Sequence, residues 1–573
     1  MSWIDWTVML LTIGGIVGYG IWRSRGAQDL KAYLLSDKDM KWWTIGLSIM
    51  ATQASAITFL STPGQAFDDG MRFVQFYFGM PIAVVIIAVF IIPIFHKLNV
   101  YTAYEYLEKR FDLKTRTLGA IVFLISRGIA CGMTIYAPAI IMSLLLGWDV
   151  AQTCIVVGAV VILYTVSGGT KAVSITQKQQ MGVILMGMVI AGVLMVVNMP
   201  ISFGEAMEVA GKMGKFNVIT TDFDPKDRYN VWSGILGGTF LFLSYFGTDQ
   251  SQVQRYLGGK SIAESRIGLL FNGMIKIPMQ FLILFLGAMM FVFYQFQPAP
   301  LSFNEQEEQK VLENAQLSGQ YQSLQQQWDQ LAEAKKGAIY TMLAAEGKAK
   351  LAEQERLNAL ESDSRKVRKE AFELIEANNP DADLNDKDKI FLTFVVNYLP
   401  IGLVGLLVAV ILSAAMSSTS AELNALATTT VVDIYKRLID PDGSEAQYLM
   451  ASRIITLAWG ILAIFVALFA SELGNLIQAV NLLGSLFYPV ILGLFMVAFF
   501  MKHIGGHAVF LAGILTEILV IAMYRLPISF PETFEWLDFG FLWYNPIGCL
   551  FMMLLAQVFH LGGLRGGDGT TNS

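Results

Sequence analysis

The chain has 573 residues, 54% of them hydrophobic and 15% charged, with a formal net charge of −6. Soluble domains carry about 25% charged residues, so this composition excludes a soluble globular protein and reads as a polytopic membrane protein embedded in a lipid bilayer. No basic stripe marks a nucleic-acid surface, and Cys131, Cys154 and Cys549 fall in separate apolar stretches with no disulfide framework.

Apolar runs of spanning length are predicted at 4–22, 42–61, 74–95, 118–146, 150–166, 180–200, 231–250, 266–296, 391–420, 450–470, 474–500, 507–525 and 541–562. That gives about thirteen helices. No basic region precedes the first run and no small-residue cleavage site follows it, so no cleavable signal is expected. Lys and Arg gather in alternate loops. Arg23, Arg25 and Lys31 follow the first helix, Lys109 and Arg110 the third, and Lys171 and Lys178 the fifth. Arg255 and Lys260 follow the seventh, Lys436 and Arg437 the ninth, Lys502 the eleventh and Arg565 the last. Lys212, Lys215, Lys226 and Arg228, after the sixth helix, run against the pattern. The positive-inside rule then puts the N-terminus outside a cell (inner) membrane and the C-terminus in the cytoplasm.

The second run, Trp42 to Phe67, carries Thr52, Gln53, Ser55, Thr58, Ser61 and Thr62 at mid-depth. Such groups are costly in hydrocarbon unless they line a site. A helix that breaks there frees backbone carbonyls for a cation. Hydroxyls bonding back to their own helix account for the same residues. Arg127 lies about ten residues into its helix, about 15 Å deep, and Lys276 is comparably placed. A charge at that depth marks a functional site by default, the alternative being a buried structural ion pair or carbonyl contact.

The ninth run, residues 412–425, sets the adjacent hydroxyls Ser417 and Ser418 on a small-residue helix. Two carbonyls of a broken helix, one helical carbonyl and two hydroxyls make about five neutral oxygens, a set that suits a hard monovalent cation. Close helix packing explains the same residues, and composition alone favours it. Residues 297–389 are hydrophilic and rich in helix formers. They are expected to form two or three amphipathic helices, arranged as a hairpin on the extracytoplasmic side, that cap the outer vestibule or contact a partner.

Five stretches carry a resemblance. They are SerIleMetAlaThrGlnAlaSerAlaIleThrPheLeuSerThrPro, ValTyrThrAlaTyrGluTyrLeuGluLysArgPhe, TyrAlaProAla, SerGlyGlyThrLysAlaVal, and SerSerThrSerAlaGluLeuAsnAla with ValAspIleTyrLys. Together they resemble the sodium/solute symporter family, that of the sodium/glucose cotransporters. The first two look closest to its iodide, monocarboxylate and multivitamin branch. The resemblance implies an all-α polytopic fold with a five-plus-five inverted-repeat core and discontinuous helices. It divides the chain into a leading helix at 1–30, a first repeat at 31–200 and the start of a second at 201–296. The insert follows at 297–389, the remainder of the second repeat at 390–505, and two trailing helices with a cytoplasmic tail at 506–573.

The family's sodium ligands match Ala51, Ala54, Ala414, Ser417 and Ser418. Its inner-gate tyrosine matches Tyr245, the polar residue that steadies it matches Gln53, and its substrate lysine matches Lys276. Where sugar carriers hold polar anchors, this chain has Thr58, Tyr77, Met80 and Phe242, while Asn481 retains an amide. A second sodium is brought into question by Thr176-Gln177, which replaces the family's ThrAsp pair. Arg127 lies close to the arginine expected to hold the carboxylate in a sialic-acid carrier of the family.

The expectation is therefore a sodium-coupled symporter for a small organic anion, with Na+ as coupling ion and no cofactor. The alternatives are a carrier of a sugar or other neutral solute, and a non-transporting solute sensor of the same fold. A proton-coupled carrier would need a midplane carboxylate, for which Glu422 is the nearest candidate, placed toward the cytoplasmic half. No nucleophile–base–acid set or cofactor motif points to an enzyme.

Overall fold

Thr52, Gln53 and Ser55 crowd one point of a membrane helix with side chains that compete for backbone hydrogen bonds, and the helix stops there. In the computed structural model Ala54 leaves the helical region at φ −86°, ψ 75°, and Ser55 is extended at φ −78°, ψ 174°. The structure describes residues 1–24, 40–98, 100–297, 299–380, 382, 384–470 and 475–564, with 17, 20, 21, 23, 24, 164, 167–176 and 178 as backbone alone. The basic residues Arg25, Lys31 and Arg565, and the side chains of Arg23, Lys171, Thr176 and Lys178, lie outside that description.

The first part of the chain forms α1 (Trp3–Ser24), α2 (Trp42–Gln53), α3 (Ala56–Asp69), α4 (Met80–Ile86), α5 (Ile92–Leu98) and α6 (Glu105–Arg110). Next come α7 (Leu113–Leu146), α8 (Val150–Val197), α9 (Phe203–Lys212), α10 (Gly238–Gly247), α11 (Gln250–Leu257) and α12 (Ile262–Phe296). The insert supplies α13 (Glu305–Glu313), α14 (Ser318–Ala344) and α15 (Gly347–Asn378). The chain closes with α16 (Lys387–Tyr398), α17 (Leu403–Thr429), α18 (Glu445–Ala467), α19 (Leu476–Phe500), α20 (Gly506–Ser529) and α21 (Tyr544–Leu561). Among the described residues, nine helical stretches are long and apolar enough to cross a membrane, and three shorter apolar ones accompany them. The molecule is all-helical and polytopic, as the composition requires.

The predicted run 231–250 also breaks. α10 ends at Gly247, and Asp249 caps α11 by accepting the Ser251 N–H at 2.8 Å. The run 391–420 is interrupted at Pro400 and Gly402, whose φ of +91° only glycine adopts without strain. The predicted helices 150–166 and 180–200 share one continuous helical ladder of 48 residues. Straight, it would measure about 72 Å, more than twice a bilayer's hydrocarbon core. Yet Cys154 meets the Ala467 carbonyl at the end of α18, while Gly192 abuts Leu286 toward the insert end of α12. Both ends therefore lie on the insert side, and the ladder amounts to two crossings.

Two of the stretches that carried the resemblance clasp each other. Thr102 donates to Asp433 at 2.8 Å, and the Arg116 guanidinium bridges Asp433 and Glu108, both at 2.7 Å. Tyr104 donates to the Thr248 carbonyl at 3.1 Å, which ties the same segment to the second helix break.

α3 packs on α12 without side-chain padding. A Cβ on Gly287 would sit 2.2 Å from the Pro63 carbonyl oxygen, a contact that only glycine permits. Gly287→Val is therefore expected to lose most of the monodisperse folded protein in size-exclusion chromatography. Gly15→Ala, with nothing within 4 Å, is expected to match the parent.

Candidate functional site

Each helix break exposes two kinds of backbone group. The last carbonyls of α2 carry partial negative charge, and the first N–H groups of α3 carry partial positive charge. The second break, at Thr248–Asp249, is tied to the same cavity through Asp249, which pairs with Arg127 of its wall. α17 packs against both α2 and α3.

The cavity is walled by Gln53 and Thr58 from the broken helix, Tyr77, Arg127 from α7, Tyr245 from α10 and Asn481 from α19. Six of the seven substrate candidates thus meet. The seventh, Lys276, is absent from the walls. It is fully buried with Nζ 5.9 Å from the ring centre of Tyr77, which does line the cavity. Its ammonium makes no hydrogen bond. Phe76 and Phe242 complete an apolar side where a sugar's hydroxyls would find no partner.

Arg127 does not present an open fork. Nη1 donates to Glu422 at 3.0 Å, and Nη2 pairs with Asp249 and with the Tyr488 hydroxyl, the latter at 2.5 Å. Only Nε lacks a partner. The guanidinium lies 5.5 Å from the Tyr245 ring centre, a cation–π distance. Glu422 also accepts from Thr134 at 3.1 Å and lines the same cavity. Asp249 and Tyr488 were not expected from the sequence. The TyrPheGlyThrAspGln run reads as the polar end of a helix, and only the fold brings it to Arg127.

The Tyr245 hydroxyl accepts from Gln252 at 2.6 Å, and its ring stands 6.1 Å from that of Tyr488. The Gln53 side-chain oxygen is buried without a partner. In place of the family's aspartate, Gln177 accepts from Ser48 at 2.7 Å and donates to Thr52 at 3.3 Å, bracing α2 against α8.

For the cation candidates, Ala51 and Ala54 sit at the broken end of α2, and Ala414, Ser417 and Ser418 are buried on α17. Ser418 donates to the carbonyls of Ala414 and Ala415, each at 3.1 Å. The Ser417 hydroxyl is buried and unpartnered. An orphaned hydroxyl costs about 1–3 kcal/mol in a dry interior, a cost that a bound cation would remove.

Two interrupted helices crossing at a polar cavity in an apolar bundle define a secondary-transporter fold. The sodium:solute symporter family matches residues 33–309 and 374–516, and the chain belongs to it. It is 30% identical over 295 residues to the Homo sapiens sodium/iodide cotransporter, covering 51% of this chain and 45% of that protein. It is 25% identical over 550 residues to the Vibrio parahaemolyticus sodium/glucose cotransporter, covering 93% and 87%. The matched segment spans about half the length of the first of these relatives. The fold is that of a Na+-coupled sialic acid symporter solved in a substrate-bound outward-open state, with TM-score 0.71, 21% identity and 97% of each chain covered.

Proposed function

We propose that the protein is a sodium-coupled symporter that imports a small organic anion by alternating access. Sodium is held by the carbonyls of Ala51, Ala54 and Ala414 and the hydroxyls of Ser417 and Ser418. The N-terminus and the insert face the outside, in a cell (inner) membrane. The repeats 31–200 and 201–505, interrupted by the insert, rock against each other, and Tyr245 closes the inward path. The sodium-coupled family and its relatives support the coupling ion.

The observation that carries the anion is the Arg127 guanidinium on the cavity wall, whose Nε is buried without a partner. A carboxylate is the acceptor that such a charged N–H donor binds most strongly. The N-terminal end of α3 also favours a carboxylate at the break.

A second reading, a neutral solute, is favoured by the engaged guanidinium of Arg127, which leaves Nε alone for a carboxylate. Charge movement separates the two. A cycle of one sodium and one monoanion carries no net charge, whereas sodium with a neutral solute gains about 2.3 kcal/mol per 100 mV. In proteoliposomes, sodium-driven uptake of lactate or benzoate that ignores a clamped potential supports the anion. Sodium-driven glucose uptake that rises with inside-negative potential overturns it.

A further inference from the structure

The insert and the outer end of the broken helix enclose a second cavity. Phe67 and Asp68 of α3, Phe291 and Tyr294 of α12, Trp328 of α14 and Phe303 form much of its wall. Lys215, Lys335, Arg365 and Arg368 also reach it, opposed within the wall only by Asp68 and Glu361. Lys335 and Arg365 share Glu361, at 3.1 and 3.4 Å. Arg368 pairs with Asp386 at 2.6 Å, and Asp68 pairs with Lys387. With these partners counted, and with Asp69 beside Lys215 and its Arg72–Asp227 ion pairs, six cations face five carboxylates, so one positive charge is left over beside an aromatic wall.

Lys215 links this cavity to the broken helix. It is buried, and its Nζ donates to the carbonyls of Phe67 and Asp68, both at 2.7 Å, while lying 4.0 Å from the Phe291 ring centre. Burial pushes its ammonium down to about 8, with Glu361, Asp68 and Asp69 pulling it back up. α14 and most of α15, which carry Trp328, Lys335, Glu361, Arg365 and Arg368, lie outside the stretches that the symporter family matches. Lys215, by contrast, lies within the matched stretch 33–309.

We propose that this cavity is a binding site for a small organic carboxylate with an apolar or aromatic body, held against the outer end of α3. The carboxylate offsets the one uncompensated positive charge, and the body lies on Trp328, Phe291 and Phe303. The site is separate from the central cavity and does not depend on which solute that cavity carries.

The test uses full-length protein in nanodiscs with radiolabelled benzoate, in potassium buffer without sodium. Arg365 is the variant of choice, because its side chain is 60% exposed and an ion pair so exposed contributes little to stability. The parent is expected to bind benzoate, and Arg365→Glu to weaken that binding at least tenfold with an unchanged thermal midpoint. The benzoate-dependent change in tryptophan fluorescence is expected to vanish in Trp328→Phe. Absence of sodium-independent binding overturns the site, as does parental affinity in Arg365→Glu. Displacement of benzoate by an equal concentration of chloride overturns the organic carboxylate as occupant.

Discussion

Arg127→Met is expected to cost about 3–5 kcal/mol of stability and to abolish solute uptake, the largest single effect in the molecule. The guanidinium is the shared partner of two buried carboxylates, Asp249 and Glu422, and of the Tyr488 hydroxyl. Removing it leaves two unpaired acids at the centre of the bundle. The total stability of a folded protein is about 5–15 kcal/mol, so the variant should be marginal. The triple variant Arg127→Met/Asp249→Asn/Glu422→Gln removes all three charges together. Asparagine still caps α11, since Asn and Asp are nearly equal at that position. The triple variant is therefore expected to recover the parental thermal midpoint in nanodiscs without recovering uptake. A single variant that is as stable and active as the parent would show that the cluster neither holds the fold nor serves the cavity.

The second large effect belongs to the serines of α17. Ser418 bonds back to two carbonyls of its own helix, an arrangement that slightly destabilises helices. Alanine is the best helix former, so Ser418→Ala should fold at least as well as the parent. Loss of one of the five proposed sodium ligands, worth about 1.5–3 kcal/mol, is expected to raise the sodium concentration for half-maximal uptake at least tenfold. Ser417→Ala should do the same while relieving a buried, unpartnered hydroxyl. A shift in thermal midpoint without a shift in sodium dependence would assign these serines to packing alone.

Much of this arrangement was readable from residue types at a given depth. The hydroxyls and amide at 52–58 mark the first break, because they are costly in hydrocarbon and compete with the helix ladder. Arg127 is legible as a midplane charge for the same reason. Its partners are not, since Asp249 is 122 residues away and Glu422 is 295, and nothing local in the sequence encodes that pairing. That Glu422 lines the cavity is likewise not legible, because counting along an apolar run does not say where a cavity reaches. Lys276 lies beside the Tyr77 ring but outside the cavity lining, a side-chain arrangement that spacing does not reveal. The insert's hairpin followed from its polar, helix-forming composition. Its basic contribution to a second cavity depends on docking against Phe67 and Lys215, which composition does not describe.

The most direct measurement is equilibrium binding of radioactive sodium to the purified protein, with potassium as competitor. Saturable binding is expected that potassium fails to displace and that Ser417→Ala/Ser418→Ala loses while keeping the parental thermal midpoint. Parental sodium affinity in that double variant, or no saturable binding in the parent, would contradict a sodium site between the broken helix and α17.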